Sequence, residues 1–194
     1  IICLNNVNLM MQNNIIHQSY LHGVKKLICY GSGYMYPYSA QNPLKEEYMM
    51  QSNLEYNAYT MGIAKIAGAA MCEAYNIQYG TNYLCLALNN LYGTRANFDF
   101  GKSRVLPALI RKFHEAKIHD VSVVKVWGTG TPRREFLYSD DLADAVIYLM
   151  NNYNGNQFIN IGVGKDISIR ELAEKIKEIV KNNIVAEEPV IATD

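Results

Sequence analysis

Two short apolar runs, Leu27-Ile28-Cys29-Tyr30 and Asn82–Leu88, set the limits on what this chain can fold into. A continuous apolar run bounded by turn signals reads as a strand covered on both faces, as in the middle of a parallel sheet. Between them the sequence predicts a helix at Gly62–Tyr79. There Ile63, Ile66, Ala67, Ala70, Met71 and Ala74 form an apolar stripe rich in small residues, which let a helix approach a sheet or another helix closely. Gly80 ends it.

The rest of the chain repeats this alternation. Asn8–His22 predicts a helix, with Leu9, Ile15, Ile16 and Tyr20 at near-helical spacing and Gly23 as the stop. The opening IICLNN reads as the tail of a strand, so the chain begins in the middle of a fold. Tyr34–Glu47, with Pro37 and Pro43, reads as a loop over the sheet edge, and Asn89–Arg104 as a polar loop. Val105–Ala116 predicts a helix with Pro107 in its first turn, Val123–Trp127 a strand and Gly128–Pro132 a tight turn. Asp140–Asn151 predicts a helix with Asp140 as N-cap, and Gln157–Ile161 a strand. Ser168–Lys181 predicts a helix opened by a capping box, Ser168 to Glu171, and Asn182–Asp194 is strand-like. Strands alternating with helices indicate an α/β fold, a doubly wound, mostly parallel sheet.

Composition narrows the function classes. With 194 residues, 49% of them hydrophobic, the chain can bury a real core. Eighteen basic residues balance eighteen acidic ones, which gives no electrostatic case for nucleic acid or an anionic membrane as partner. The four cysteines, Cys3, Cys29, Cys72 and Cys85, have no metal-ligand spacing and read as reduced thiols in a cytoplasmic protein. No apolar stretch is long enough for a transmembrane helix.

A dinucleotide-binding sheet carries its pyrophosphate loop, GxGxxG, after its first strand. None occurs here: Gly31-Ser32-Gly33 lacks the third glycine, and Gly128-Thr129-Gly130 precedes no suitable helix. What remains is a strand that ends by presenting Ser32 and a helix that presents Lys65.

In those motifs the chain resembles the extended branch of the short-chain dehydrogenase/reductase superfamily. Within it the similarity is to the GDP-L-fucose synthases, NADPH-dependent epimerase/reductases that act on GDP-4-keto-6-deoxymannose. GSGYMYP (31–37), IAKIAG (63–68), MCEAYNIQYGTNY (71–83), NLYG (90–93), VLPALIRKFHEAK (105–117), VWGTGTPRREF (126–136) and DDLADA (140–145) carry the resemblance. NLMMQNNIIH (8–17) and INIGVGKDISIRELAE (159–174) extend it over nearly the whole chain. It implies a Rossmann-like sheet with a smaller α/β substrate-binding region. Residues 1–104 would be the later half of the dinucleotide-binding domain, and 105–194 mainly the substrate region, interleaved with it. The family layout places further residues before 1 and after 194, so the chain reads as incomplete. The resemblance further implies a GDP-sugar substrate, NADPH as cofactor, and a homodimer joined by a four-helix bundle from the helices at 8–22 and 62–79.

Carried over by position, Ser32 polarises the ketone, and Lys65 holds the nicotinamide ribose and lowers the pKa of a tyrosine proton donor. That tyrosine stands four residues before the lysine, so that both share a helical face. Here the position is Met61. Tyr59 is near, but six residues is roughly 600° of helix, about 120° round from the lysine, and only an irregular helix start would bring it round. Two further family positions, a cysteine and a histidine used for epimerisation, are Tyr34 and Arg104. Tyrosine, with a pKa near 10, is a poor base at neutral pH, and arginine does not give up its proton. These changes leave open a related enzyme that reduces or epimerises another GDP-sugar, or a non-catalytic nucleotide-sugar-binding homologue. Cofactor positions map onto Tyr30, Gly31, Ser32, Gly33, Lys65, Asn89, Asn90 and Leu91. Substrate positions map onto Lys112, Trp127 and Arg134, two cations and an indole suited to a nucleotide diphosphate. No metal site is implied.

Overall fold

The structure, a computed structural model, describes residues 2–180 and 185–187. In chain order the first elements are α1 (Ile2–Leu21), β1 (Lys26–Tyr30), α2 (Tyr59–Tyr79), β2 (Asn82–Leu88) and β3 (Asn90–Tyr92). There follow α3 (Val105–Ile118), β4 (Val123–Lys125), β5 (Arg133–Tyr138) and α4 (Ser139–Asn152). The last are β6 (Ile159–Ile161), β7 (Asp166–Ser168), α5 (Ile169–Val180) and β8 (Val185–Glu187). The fold is α/β, and the chain divides into two compact units: Ile1–Asn89 with Asp140–Gly162, and Asn90–Ser139 with Val163–Asp194.

The first unit is built on a parallel sheet in the order β1-β2-β6. The central strand is β2, with Tyr83 through Ala87 buried. The expectation that β1 lies covered on both faces is corrected: among the described residues it pairs with β2 alone and is half-buried. Helix α2 packs on the sheet and α1 packs on α2. Ile16, Cys72 and Tyr83 form a core with Leu27, Cys29, Met71 and Tyr75 against it. Cys29, Cys72 and Cys85 are free thiols, while the Cys3 side chain lies outside the described residues.

The small residues of α2 do allow close approach, but the buried face is rotated from the one the sequence pattern suggests. Gly62, Ala64, Gly68, Ala69, Cys72 and Asn76 are buried, whereas Ile63 is 45% exposed and Ala70 and Ala74 are exposed. At Gly68 a Cβ would sit 2.6 Å from Gln12 Oε1, and the Gln12 amide donates to the Ala64 carbonyl, so α1 lies hard against α2. The helix ends at Gly80, left-handed at φ 63°, as glycine permits. Asn76, buried beside this cap, donates to Tyr83 O (2.7 Å) and accepts from Tyr83 N (2.7 Å) and Thr81 Oγ1 (2.9 Å), fixing the turn into β2.

IICLNN is not a strand tail: α1 starts at Ile2, because nothing between Ile2 and Leu21 breaks a helix. The 34–47 loop is tied to edge strand β6 through Asn160, which accepts from Tyr36 Oη and donates to Leu44 O and Glu46 Oε1.

In the second unit β5 pairs with β3 in parallel and with β7 antiparallel, and β4 pairs with β8. Leu109, Phe113 and Ala116 of α3 pack with Val124, Val126 and the Ile169, Leu172, Ala173 and Ile176 face of α5. The capping box forms as expected: Glu171 N donates to Ser168 Oγ (3.1 Å) and Ser168 N to Glu171 Oε2 (2.8 Å). β3 and β7, three residues each, and β5 were not foreseen. In the first unit Asp140 is not an N-cap; α4 starts at Ser139, and Asp140 sits in its first turn, where carboxylates favour the helix dipole. Of the strand-like 182–194 stretch, Val185–Glu187 forms β8; the rest, and Lys181, lie outside the described residues.

Candidate active site

Strand β1 delivers its side chains to its carboxyl end, where ligands bind in open α/β sheets. Gly31 continues the ladder by donating to Leu86 O at 2.7 Å. A Cβ there would stand 2.7 Å from Met35 Sδ and 3.1 Å from Leu86 O, so a side chain at this turn would press on both. Ser32, extended at φ −161°, caps a 3-10 turn over Gly33–Met35, with Tyr34 N donating to its Oγ at 3.3 Å. Met35, wholly buried against Ala69 and Cys85, anchors that turn.

Lys65, in the second turn of α2, reaches the same place: its Nζ donates to Tyr30 O at 2.7 Å. Ser32, two residues on, and the Lys65 ammonium thus converge on one strand end. Tyr59 is the first residue of α2, six residues before Lys65. Met61 holds the position four residues before Lys65. Asn89 stands at the end of β2 in the first unit, while Asn90 and Leu91 lie in β3 of the second, with Asn90 Nδ2 donating to Glu135 O at 3.0 Å.

The second unit carries the other set. Lys112 Nζ sits 4.7 Å over the Trp127 ring and donates to Lys125 O at 3.1 Å. Burial pulls its ammonium below the usual lysine range. Trp127 follows β4 and is 76% exposed, so this indole is no core residue. Arg134, exposed on β5, donates to Arg133 O at 2.8 Å, while Arg133 is engaged by Asp166 (3.0 Å) and Glu171 (3.3 Å). Arg104 is the exposed N-cap of α3. Beside Lys112 lies an open concavity of about 330 Å³, lined also by Phe100, Glu115, His119, Val121 and Lys125. Sequence reasoning missed it, because only Lys112 among these stood in a recognised position. Among the described residues no helix is long and apolar enough to cross a membrane.

Residues 4–162 match the model of the NAD dependent epimerase/dehydratase family. The chain is 49% identical over 174 residues to GDP-L-fucose synthase 1 of Arabidopsis thaliana, an alignment covering 90% of this chain and 54% of that protein. It spans about half the length of the curated relatives it matches. Among solved structures it is similar to a GDP-D-glycero-L-gluco-heptose synthase from Campylobacter jejuni, in the presence of NADPH. That match has 52% identity and a TM-score of 0.89, over 95% of this chain and 65% of the other. A GDP-mannoheptose C4 reductase from the same organism, with NADP bound, gives 53% identity and a TM-score of 0.85, over 93% and 65%.

Proposed function

This chain belongs to the NAD dependent epimerase/dehydratase family, and from that premise we propose that the protein is an NADPH-dependent reductase of a GDP-4-keto-sugar. The foremost reading is the epimerase/reductase that turns GDP-4-keto-6-deoxymannose into GDP-L-fucose. The observation that carries it is the Lys65 ammonium set 2.7 Å from the Tyr30 carbonyl at the strand end that presents Ser32.

The donor set fits the nicotinamide ribose. Lys65 spends one of its three N–H donors on Tyr30 O, and the others suit ribose hydroxyls. NADPH, when bound, supplies the hydride. Ser32 Oγ polarises the carbonyl, and the Lys65 charge stabilises the negative charge that gathers on its oxygen. Tyr30, Gly31, Gly33, Asn89, Asn90 and Leu91 serve as cofactor contacts. Lys112 and Arg134 meet phosphate oxygens and Trp127 packs on a ring.

A second reading is favoured by Tyr34 and Arg104, which stand at the family's epimerisation positions. Arginine cannot act as a base, and tyrosine is a weak one. The protein would then reduce a GDP-4-keto-sugar without epimerising it, in keeping with its similarity to a structure described as a C4 reductase.

Exposed apolar side chains on α1 and α2, among them Met10, Met11, Ile15 and Ile63, support a homodimer through a four-helix bundle. The free thiols suit a cytoplasmic location.

The test is the full-length protein with NADPH and GDP-4-keto-6-deoxymannose, following near-ultraviolet absorbance and identifying the product. GDP-L-fucose supports the first reading, and a reduced but unepimerised sugar the second. No NADPH oxidation with this or any related GDP-4-keto-sugar sinks both.

A further inference from the structure

Resting on that reductase reading, we propose that Tyr34 is the acid that protonates the ketone oxygen, taking over the task that Met61 cannot perform. Gly62 is the residue after Met61. Gly62 is buried, and a Cβ there would overlap the Tyr34 carbonyl oxygen and stand 3.3 Å from Tyr34 C. The Tyr34 backbone therefore lies directly on the first turn of α2, one turn before Lys65. Its amide is bound to Ser32 Oγ at 3.3 Å, so Tyr34 and Ser32 belong to the same turn. Ser32, Tyr34 and Lys65 are thus joined through three contacts: the Ser32 cap, the Gly62 packing and the Lys65–Tyr30 bond.

The other tyrosines nearby fail for specific reasons. Tyr36 is 4% exposed and its hydroxyl is given to Asn160. Tyr30 has the strand parity opposite to Leu27 and Cys29, which pack under α1 and α2, so its ring faces away from α2. Tyr59 lies about 120° round the helix from the lysine face. Tyr34, 38% exposed, is open to a ligand. Chemically the step balances. The ketone carbon gains a hydride as NADPH is oxidised to NADP⁺, and the carbonyl π pair moves to oxygen. That oxygen takes the Tyr34 O–H proton, giving a secondary alcohol, and the phenolate recovers a proton from solvent.

The experiment compares full-length wild type with Tyr34→Phe, Met61→Tyr and the double variant, measuring kcat and, by fluorescence titration, NADPH affinity. Tyr34→Phe is expected to lower kcat by about 10²-fold or more while NADPH affinity stays unchanged. Met61→Tyr is expected to restore most of that loss in the double variant. Wild-type kcat in Tyr34→Phe overturns the proposal, as does weakened NADPH binding that accounts for the whole loss. So does a rise of about 10²-fold in Met61→Tyr alone, which would mean that no acid operates in the wild type. Wild-type protein inert toward every GDP-4-keto-sugar overturns the reductase reading itself, and the proposal falls with it.

Discussion

Lys65 reaches back from the second turn of α2 to the end of β1, its Nζ 2.7 Å from the Tyr30 carbonyl oxygen. The crossover helix is thereby tied back to the strand by a charge-assisted hydrogen bond at the point where the strand turns into Gly31 and Ser32. An ammonium placed so has a fixed position before any ligand arrives, the condition for electrostatic catalysis.

Replacing Lys65 by Met is accordingly expected to weaken NADPH binding by about tenfold or more and to lower kcat/KM by about 10²- to 10⁴-fold. Lys65→Arg keeps the charge but offers a planar fork in place of a compact ammonium, and should recover little. Fluorescence titration with NADPH, beside steady-state kinetics, checks both. Affinity left unchanged in Lys65→Met would show that the lysine has no ribose contact.

In the second unit the 76% exposure of Trp127 decides what its loss should do. A core indole replaced by Ala would cost about 3–5 kcal/mol of stability. An exposed one, with Lys112 4.7 Å over its ring, should cost little stability and mainly ligand affinity. Trp127→Ala is expected to leave Tm nearly unchanged and to weaken GDP binding about tenfold, read by calorimetry. A large drop in Tm with full GDP affinity would return Trp127 to a structural role.

The long helices are legible in the sequence because their residues carry a period, and β2 because it is a continuous apolar run between turn signals. The pattern marks β2 at Asn82–Leu88 and α2 in full save its first turn. The face of α2 was not, since its stripe mixes alanine and glycine with isoleucine, and hydropathy points to Ile63 where close packing selects Ala64 and Gly68. β3 and β7 have three residues each, too few to show alternation, and exist because β5 pairs with both. Ser32 and Lys65 are legible as a pair, and the bond from Lys65 to Tyr30 O brings the lysine to the strand end that precedes Ser32. The contact of Tyr34 with Gly62 was not, because it joins a loop to a helix across a separation no local pattern records.

Asn76 should prove a structural residue with no part in the chemistry. Its amide satisfies both backbone groups of Tyr83 and the Thr81 hydroxyl inside the core. Asn76→Ala leaves those groups buried without partners, at a cost of about 2–3 kcal/mol. Urea unfolding should show a lower midpoint at an unchanged slope, with kcat per folded molecule preserved.

Tyr36 sets an alkaline limit. Burial, helped by Glu46 and Cys85 and opposed by the bond to Asn160, pushes its phenol up to about 12. The unfolded phenol ionises near 10, so between these values the unfolded chain holds fewer protons than the folded one. Stability from this group is whole below about pH 10 and is lost as pH climbs toward 12. Tyr36→Phe removes that term, so its Tm should fall less steeply than wild type over the same interval. Parallel Tm curves for the two would mean that Tyr36 does not titrate differently on folding.

Gly62→Ala offers a test in which two effects oppose each other in sign. Inside a helix, Gly to Ala ordinarily stabilises by about 1 kcal/mol, since alanine has the higher propensity and the unfolded chain loses freedom. At Gly62, however, the new methyl meets the backbone carbonyl of Tyr34 and stands 3.0 Å from Leu54 Cδ1. Backbone cannot rotate aside as a side-chain end can, and overpacking of this kind costs about 1–3 kcal/mol. The clash should therefore cancel or outweigh the propensity gain, leaving a net loss of about 0–2 kcal/mol in urea unfolding. Gly68→Ala is the control, because its methyl meets the flexible end of Gln12 and can displace it. The catalytic consequence is separable from the stability one. Relieving the clash shifts the turn that holds Ser32 and Tyr34, so Gly62→Ala should lower kcat well beyond any loss of folded protein, while Gly68→Ala leaves kcat close to wild type. Equal kcat in the two variants would show that the turn does not depend on its seat at Gly62.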